Sequence, residues 1–367
     1  MSNRNRYRVA IIGTGRMGGL IEDEIEAGSF SKPYSHFCAY AAIAETEVIA
    51  IANRGSERMQ RFATRFGVTN TYVDYQTMIE KERPNIVSIT TPSFARAEPI
   101  LFAAEHGVRG IYAEKGLCAS LAEADRIVAA CKANQVAFNW GALRRHHDGY
   151  KKVQAAIARG DIGEPSCATI YFYTDLIKHH PHTLDLVSML LGDPKPLWVE
   201  GRLIEPGDPF DPAPRRAHPV YDPQGHRYLP SPGYEIGDPM VGFFRVGFEG
   251  GREGLFIPRR GSFDIDVHGA EGRASAKENG GEFRISRTNA KTQTSEETIF
   301  RPTGESPTMC TIRDIIRQLE TGEPTKGNID ITMQSVEAQF GLAHSHLQGG
   351  ARIALPVADR SLYVPGG

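Results

Sequence analysis

Apolar positions in the first 140 residues fall into short continuous runs, divided by longer stretches in which they recur every three or four residues. The runs at 9–12, 47–52, 86–90, 110–114 and 136–140 have the length and composition of buried strands. Between them the spacing predicts helices over 16–27, 56–66, 75–81, 95–105 and 121–132, with a short extended piece at 71–73. Strands alternating with helices imply an open parallel sheet, in which ligands bind at the carboxyl ends of the strands.

Past Trp140 the pattern changes. A helix is expected over 149–158, and residues 167–174 alternate as a strand. His180-Pro181 opens a further helix that runs to Leu191 and is closed by Gly192-Asp193-Pro194. Runs at 197–204, 240–248, 253–257, 262–268 and 282–287 are separated by turn signals without helices, the pattern of an antiparallel sheet. Helices over 308–319 and 329–347 and a last strand at 353–357 complete the chain. Prolines at 206, 209, 212, 214, 219, 223, 230, 232 and 239 argue against regular structure between 205 and 239. Phe210, Tyr221, Tyr228 and Tyr234 give that stretch something to bury, so it reads as an ordered excursion or lid.

Glycines 13, 15 and 18 follow the first run directly. In a strand-turn-helix setting Gly13 permits the turn, Gly15 lets the backbone approach a pyrophosphate, and Gly18 lets helix pack on strand, with Thr14, Arg16 and Met17 in the same loop. The expected ligand is a nicotinamide dinucleotide. After the second strand, where an Asp or Glu would bond the adenosine ribose, the chain has Asn53 followed by Arg54, Ser56 and Arg58, which points towards NADP rather than NAD. Thr91-Pro92, Glu114-Lys115 and residues 141–145 fall at the same edge of the sheet.

With 40% apolar and 23% charged residues and a net charge of −2, the chain has no field to recruit nucleic acid or an anionic membrane. Residues 1–8 lead into only four apolar residues before a glycine, which suits neither a signal peptide nor a membrane span, so a cytoplasmic protein is expected. Five scattered cysteines (38, 118, 131, 167 and 310) without C-x-x-C spacing suggest reduced thiols.

On Gly13 to Gly18, Ile89-Thr-Thr-Pro92, Ala113-Glu-Lys-Gly116, Arg159-Gly-Asp-Ile-Gly163, His182-Thr-Leu-Asp185 with Leu190 and Gly192, Val267 to Gly272, and the close at Gly350 to Pro356, the chain resembles the glucose-fructose oxidoreductase, inositol dehydrogenase and rhizopine-catabolism (Gfo/Idh/MocA) family. The resemblance implies an α/β protein: a Rossmann NAD(P)-binding domain over 1–142, then an α/β domain over 143–367 built on a large, mostly antiparallel open sheet, with the excursion at 205–239. It implies hydride transfer between the nicotinamide and a secondary hydroxyl or ketone of a sugar or cyclitol. His182 takes the place of the proton-transferring histidine and Lys115 that of the positioning and tuning lysine. The sequence departs from the family at three places. Gly116 replaces the proline of Glu-Lys-Pro, Lys178 replaces an Asp four residues before the catalytic histidine, and Arg96 replaces a loop histidine.

A polyol would be bound by Lys115, Arg144, Arg145, Tyr173, Lys178, His179 and His182. His179, His180 and His182 resemble a metal cluster, but Pro181 interrupts them and only Asp185 sits at ligand spacing, so no metal is expected there. Asp264, Asp266 and His268 read as a solvated or subunit-contact face, and His344 and His346 as packed helix residues. Two other readings compete with the dehydrogenase: an NAD-assisted glycoside-cleaving enzyme, and a non-catalytic ligand-binding relative. A sheet with one open face predicts a homodimer or homotetramer.

Overall fold

The computed structural model describes residues 6–28, 31–209, 219–230, 237–261, 263–289, 291–292 and 294–366. Phe210, Tyr234 and prolines 212, 214 and 232 of the excursion, with residues 1–5 of the amino terminus, lie outside the described residues. The chain forms two compact units: residues up to 118, 123–146 and 305–332 make the first, and 119–122, 147–304 and 333–367 the second.

In the first unit β1 (Tyr7–Ile12), β2 (Thr46–Ala52), β3 (Asn70–Tyr72), β4 (Ile86–Ile89), β5 (Gly110–Ala113) and β6 (Ala137–Trp140) form a parallel sheet in the order β3-β2-β1-β4-β5-β6. The reversal of order beside β1 creates the crevice in which such sheets bind ligands. Helices α1 (His36–Ala41), α2 (Ser56–Phe66), α3 (Tyr75–Glu82), α4 (Ala97–Glu105) and α5 (Leu121–Ala133) connect the strands. A segment from far along the chain, α8 (Pro307–Thr321), joins the same core through Met309, Ile312, Ile315 and Ile316, packed with Ile86 and Tyr112. Gly110 admits it: a Cβ there would stand 2.9 Å from Ile315 Cγ2.

The helix expected over 16–27 is not formed. Residues 16–19 make turns, Leu20–Asp23 is a single 3-10 turn, and the helix comes later as α1, where Ser35 Oγ accepts a hydrogen bond from Cys38 N. Two adjacent glycines account for this, since each costs about 1 kcal/mol against alanine inside a helix. Both are used for close packing instead: a Cβ on Gly18 would lie 2.5 Å from Gly13 O, and one on Gly19 2.6 Å from the Phe62 ring. The neighbouring acids are drawn into tertiary contacts. Glu22 accepts from Tyr34 N and Ser35 N at 2.6 and 2.5 Å, Glu24 binds Arg16 at 2.7 Å, and Asp23 binds Arg65 at 2.6 Å.

In the second unit α6 (Asp148–Ala158), α7 (Leu176–Leu190) and the greater part of α9 (Ile329–Leu347) accompany a nine-stranded sheet. Its strands are β7 (Pro165–Tyr171), β8 (Pro196–Leu203), β11 (Val241–Phe248), β12 (Glu253–Ile257), β13 (Asp264–Gly269), β14 (Gly272–Lys277), β15 (Glu282–Asn289), β16 (Thr294–Phe300) and β17 (Ile353–Ala354). They run in the order β16-β15-β14-β13-β7-β12-β11-β8-β17, antiparallel except where β12 meets β7. β14 and β16 were not expected. β14 (Gly-Arg-Ala-Ser-Ala-Lys) offers only two alanines as apolar positions and β16 (Thr-Ser-Glu-Glu-Thr-Ile-Phe) is exposed along most of its length, so neither carries a strong apolar alternation. The proline-rich excursion is also not wholly irregular: β9 (Val220–Asp222) and β10 (Arg227–Leu229) pair as a hairpin. Asp264 and Asp266 are buried rather than solvated, facing Arg259 at 3.2 Å and Lys277 at 3.6 Å respectively.

α7 begins at Leu176, four residues before the expected start, so that Pro181 lies inside it. The start is set from a distance. Asp238 Oδ1 and Oδ2 accept from Ile177 N and Lys178 N, each at 2.8 Å, and so cap the helix across the fold. Burial and the nearby Asp175 push the Asp238 carboxyl well above the usual carboxylate range, against the two amides and Lys178. A carboxyl raised on folding stabilises most below its unfolded pKa near 4 and loses that contribution as pH rises. Asp238→Ala is therefore expected to lower the unfolding free energy by about 1–2 kcal/mol. Asp238→Asn, which keeps an acceptor and cannot ionise, should cost less, with the gap to wild type narrowing from pH 5 to 8 in urea titrations. Equal losses for the two variants at every pH would contradict this capping account.

Candidate active site

The glycine loop of the first unit is built around one tight turn. Gly13 has φ +102°, and a Cβ on it would meet Thr90 Oγ1 at 2.6 Å. Thr90 Oγ1 in turn donates to Gly13 O at 2.8 Å, which fastens the loop to the end of β4. Gly15 differs from both its partners: nothing lies within 4 Å of where its Cβ would be. Thr14 is fully buried, its N donates to Asn53 Oδ1 at 3.3 Å, and its hydroxyl has no partner. The amide of Asn53 also donates to Gly55 O at 2.9 Å, so this side chain ties the glycine loop to the turn after β2.

Gly13, Gly15, Asn53, Gly55 and Thr90 open onto a cleft of about 920 Å³ that is also lined by Arg54, Arg58, Arg61, Thr91, Pro92 and Phe94. Arg54 and Arg58 are exposed and make no ion pair among the described residues. Arg16 is turned to Glu24, which raises its pKa, and Met17 contributes its carbonyl to His36 N at 3.0 Å. An open glycine and two guanidiniums without ion pairs among the described residues fit an anionic dinucleotide, with the arginines at the adenosine side. The α1 N-terminus begins at residue 36, so the dipole contribution expected from a helix over 16–27 is missing and the loop amides must serve instead.

The next two strand ends are joined by a buried cation. Arg96 is 3% exposed and donates to the carbonyls of Thr91 and Gly116, bridging the loops after β4 and β5. Burial lowers its pKa to about 10, opposed by Glu114, so it stays charged at neutral pH. Glu114 is buried too. Burial alone would raise its pKa, but the hydrogen bond from His36 and the charges of Lys115 and Arg96 hold it below the usual range. His36 Nε2 lies 3.1 Å from Glu114 Oε1, His36 Nδ1 lies 2.5 Å from Ser88 Oγ, and the ring stacks on Tyr112 at 4.0 Å. This string has the order of a hydrolase triad, but Ser88 is wholly enclosed in β4, where no substrate atom reaches it. Lys115 Nζ stands 3.9 Å from Glu114 Oε2, with 13% of its side chain exposed. Arg144 and Arg145 sit on the 3-10 turn Leu143–His146, where Arg145 is buried and Arg144 lowers the pKa of Tyr34 against the burial that raises it. His36 lies between the helix expected over 16–27 and the strand expected over 47–52, where no motif marks it.

In the second unit Tyr173 follows β7, and Lys178, His179 and His182 lie on the first turns of α7. Arg260 lies over the Tyr173 ring at 5.3 Å. The three histidines separate cleanly by environment. His180 is fully buried among Phe244 and Phe256, and burial lowers its pKa to about 3, so it is neutral and structural. His179 Nδ1 lies 2.5 Å from Asp175 Oδ1, a carboxylate-imidazole pair four residues apart. His182 is 8% exposed and has Lys178 one turn before it. Four residues before His179 stands Asp175, and four residues before His182 stands Lys178.

Residues 7–142 match the family model described as the oxidoreductase family with NAD-binding Rossmann fold. The fold and the glycine-lined cleft define a nicotinamide-dinucleotide-binding class of protein. Over residues 7–142 the first unit matches the NAD-binding domain of the Gfo/Idh/MocA family. It is 27% identical to D-apiose dehydrogenase of Paraburkholderia graminis over 186 residues, 46% of this chain and 49% of that one. It is 24% identical to myo-inositol 2-dehydrogenase of Thermotoga maritima over 158 residues, 43% of this chain and 42% of that one. In both cases the match spans about half or less of the relative's own length. Among solved structures, levoglucosan dehydrogenase in complex with NADH and levoglucosan superposes with a TM-score of 0.75 at 18% identity, covering 96% of this chain and 100% of that one. A 3-ketoreductase from Actinomadura kijaniata in complex with TDP-benzene and NADP gives 0.69 at 18% identity over 93% and 98%. These likenesses show that the two-unit fold is shared along nearly the whole chain. No helix among the described residues is long and apolar enough to cross a membrane.

Proposed function

We propose that the chain is an NAD(P)-dependent oxidoreductase that interconverts a secondary hydroxyl and a ketone on a sugar, cyclitol or related polar ring. The observation that carries the reading is Gly15, which faces open space in the cleft, whereas Gly13 and Gly18 of the same loop are explained by the protein's own packing. The relatives named as dehydrogenases of apiose and myo-inositol support the substrate class. The unpaired Arg54 and Arg58 favour NADP, because a 2′-phosphate would meet two guanidiniums and no carboxylate at the position of Asn53.

The nicotinamide, when bound, supplies the hydride acceptor or donor. Oxidation then requires the chain to remove one proton from the substrate oxygen. Lys115 positions that oxygen through its ammonium group, which Glu114 and Arg96 hold in a fixed electrostatic setting. His182 accepts the proton in the reading that the family resemblance favours. A second reading assigns the proton to His179, because Asp175 Oδ1, 2.5 Å from its Nδ1, orients the ring as a partner carboxylate should. His180 takes no part, being neutral across the working range. Arg144, Arg145, Tyr173 and Lys178 bind the remaining hydroxyls.

The test is a panel of sugars, cyclitols and glycosides incubated with NADP+ or NAD+, with reduced nicotinamide read by absorbance and products by chromatography. Reduced cofactor should accumulate, faster with NADP+, and Lys115→Ala should abolish it. Replacement of the true proton-transfer histidine should cut kcat by about 10²–10⁴-fold and remove a limb of the pH profile, whereas the other should act mainly on KM. Cleavage without net reduced cofactor would move the chain to the NAD-assisted glycosidases. Ligand binding that survives Lys115→Ala and His182→Ala, with no turnover, would make it a binding protein.

We further propose a homodimer or homotetramer. Leu197 on β8 and Phe243 on β11 are 42% and 52% exposed on the large sheet, where a partner subunit would cover them. Light scattering at micromolar concentration should give a multiple of the 40.4 kDa chain mass, and a monomer mass would remove this claim.

A further inference from the structure

Away from the proposed chemistry, three separate stretches of the second unit bring metal-ligating side chains to one point. His226 lies in the turn between β9 and β10, His344 on α9, and Asp359 in the segment after β17. One donor atom from each lies within 4.8 Å of the other two. Backbone pairing holds the frame: Tyr363 N donates to His226 O at 3.1 Å, and Tyr228 N to Tyr363 O at 2.9 Å. The two imidazole rings stand 5.9 Å apart, centroid to centroid.

Of the donors that face one another, His344 Nε2 has no hydrogen bond and His226 Nε2 meets only Asp359. His344 is 6% exposed and its Nε2 makes no hydrogen bond. His226 Nε2 likewise has no aligned hydrogen bond, although Asp359 Oδ2 stands only 2.8 Å away. A buried imidazole nitrogen left in this way is costly unless something else fills its lone pair. The far side of each ligand, by contrast, is anchored. Tyr221 Oη lies 2.7 Å from His226 Nδ1. Asp359 Oδ1 accepts from Ser361 N at 2.9 Å and from Ser361 Oγ at 2.7 Å, which turns Oδ2 towards His226. The His344 ring hydrogen-bonds the Asp359 backbone. Outer partners that fix the direction of each side chain, with inner donors turned to one another, are the arrangement of metal ligands.

We propose that His226 Nε2, His344 Nε2 and Asp359 Oδ2 form a divalent metal site of the zinc type, with water in the fourth position. Two imidazoles and one carboxylate suit Zn²⁺, whereas Mg²⁺ and Ca²⁺ need more oxygen ligands. Metal bonds of about 2.0–2.2 Å set tetrahedral donors roughly 3.3 Å apart, a spacing reached here by side-chain rotations of about an ångström. The half-exposed side chains of Asp359 and His226 leave the fourth position open to solvent. The metal would staple the hairpin of the excursion to α9 and to the C-terminal segment. It has no part in hydride transfer, so it stands or falls independently of the proposed activity.

The test uses the full chain without an affinity tag, stripped by chelator and titrated with Zn²⁺, with metal content read by plasma mass spectrometry after gel filtration. About one equivalent should be retained, the thermal midpoint should rise, and Co²⁺ in its place should give the visible bands of a four-coordinate nitrogen and oxygen site. His226→Ala, His344→Gln and Asp359→Asn should each weaken Zn²⁺ binding at least tenfold, and Tyr221→Phe by about tenfold through the outer partner. If His344→Gln fails to fold, the other two, on more exposed side chains, carry the test, their folding checked by circular dichroism. Folded wild type that retains no Zn²⁺, or undiminished binding in the His226→Ala/Asp359→Asn double variant, would overturn the proposal.

Discussion

The carboxyl edge of the parallel sheet depends on the turn at Gly13. The chain must leave β1 and double back within three residues, and it does so with a positive φ that brings the backbone against Thr90 at the end of β4. Gly18 then lies on the carbonyl of Gly13, and Thr14 is carried inward to meet Asn53. Steric demand alone explains glycine at 13 and 18. At 15 nothing in the protein demands it, and a close approach from outside is the remaining physical reason for the missing side chain.

A second device positions the neighbouring loops. Arg96 is buried as a charged group, which is tolerable only because two carbonyls and Glu114 surround it. Its cost in desolvation is offset by fixing Thr91 and Gly116 to each other, and so Pro92 and Lys115. His36 completes the arrangement from the other side by bonding Glu114. Arg96 and Gly116 therefore meet in one contact, in which the arginine holds the carbonyl of the glycine.

Much of this was legible in the sequence because strand and helix periods are local. Helix α2 and strand β12 fall on their expected residues, and the change from alternating strands and helices to successive strands marks where the second sheet begins. What escaped was set by distant partners. The helix expected over 16–27 has the apolar spacing for it, but Gly18 and Gly19 are needed flat against Gly13, Phe62 and Phe66. α7 starts at Leu176 because Asp238, sixty-one residues on from Ile177, caps it. His36 joins the site from a stretch with no motif, and His226, His344 and Asp359 are too far apart in the chain for any spacing rule to group them.

The central claim is that the glycine loop receives a dinucleotide pyrophosphate, and Gly15→Ala isolates it. A Cβ at this position meets nothing within 4 Å, so the variant should unfold at the same denaturant concentration as wild type. Calorimetric titration with NADP+ and NAD+ should nevertheless show affinity reduced by at least about tenfold, or 1.4 kcal/mol. A stable variant that binds both dinucleotides as tightly as wild type would contradict the account.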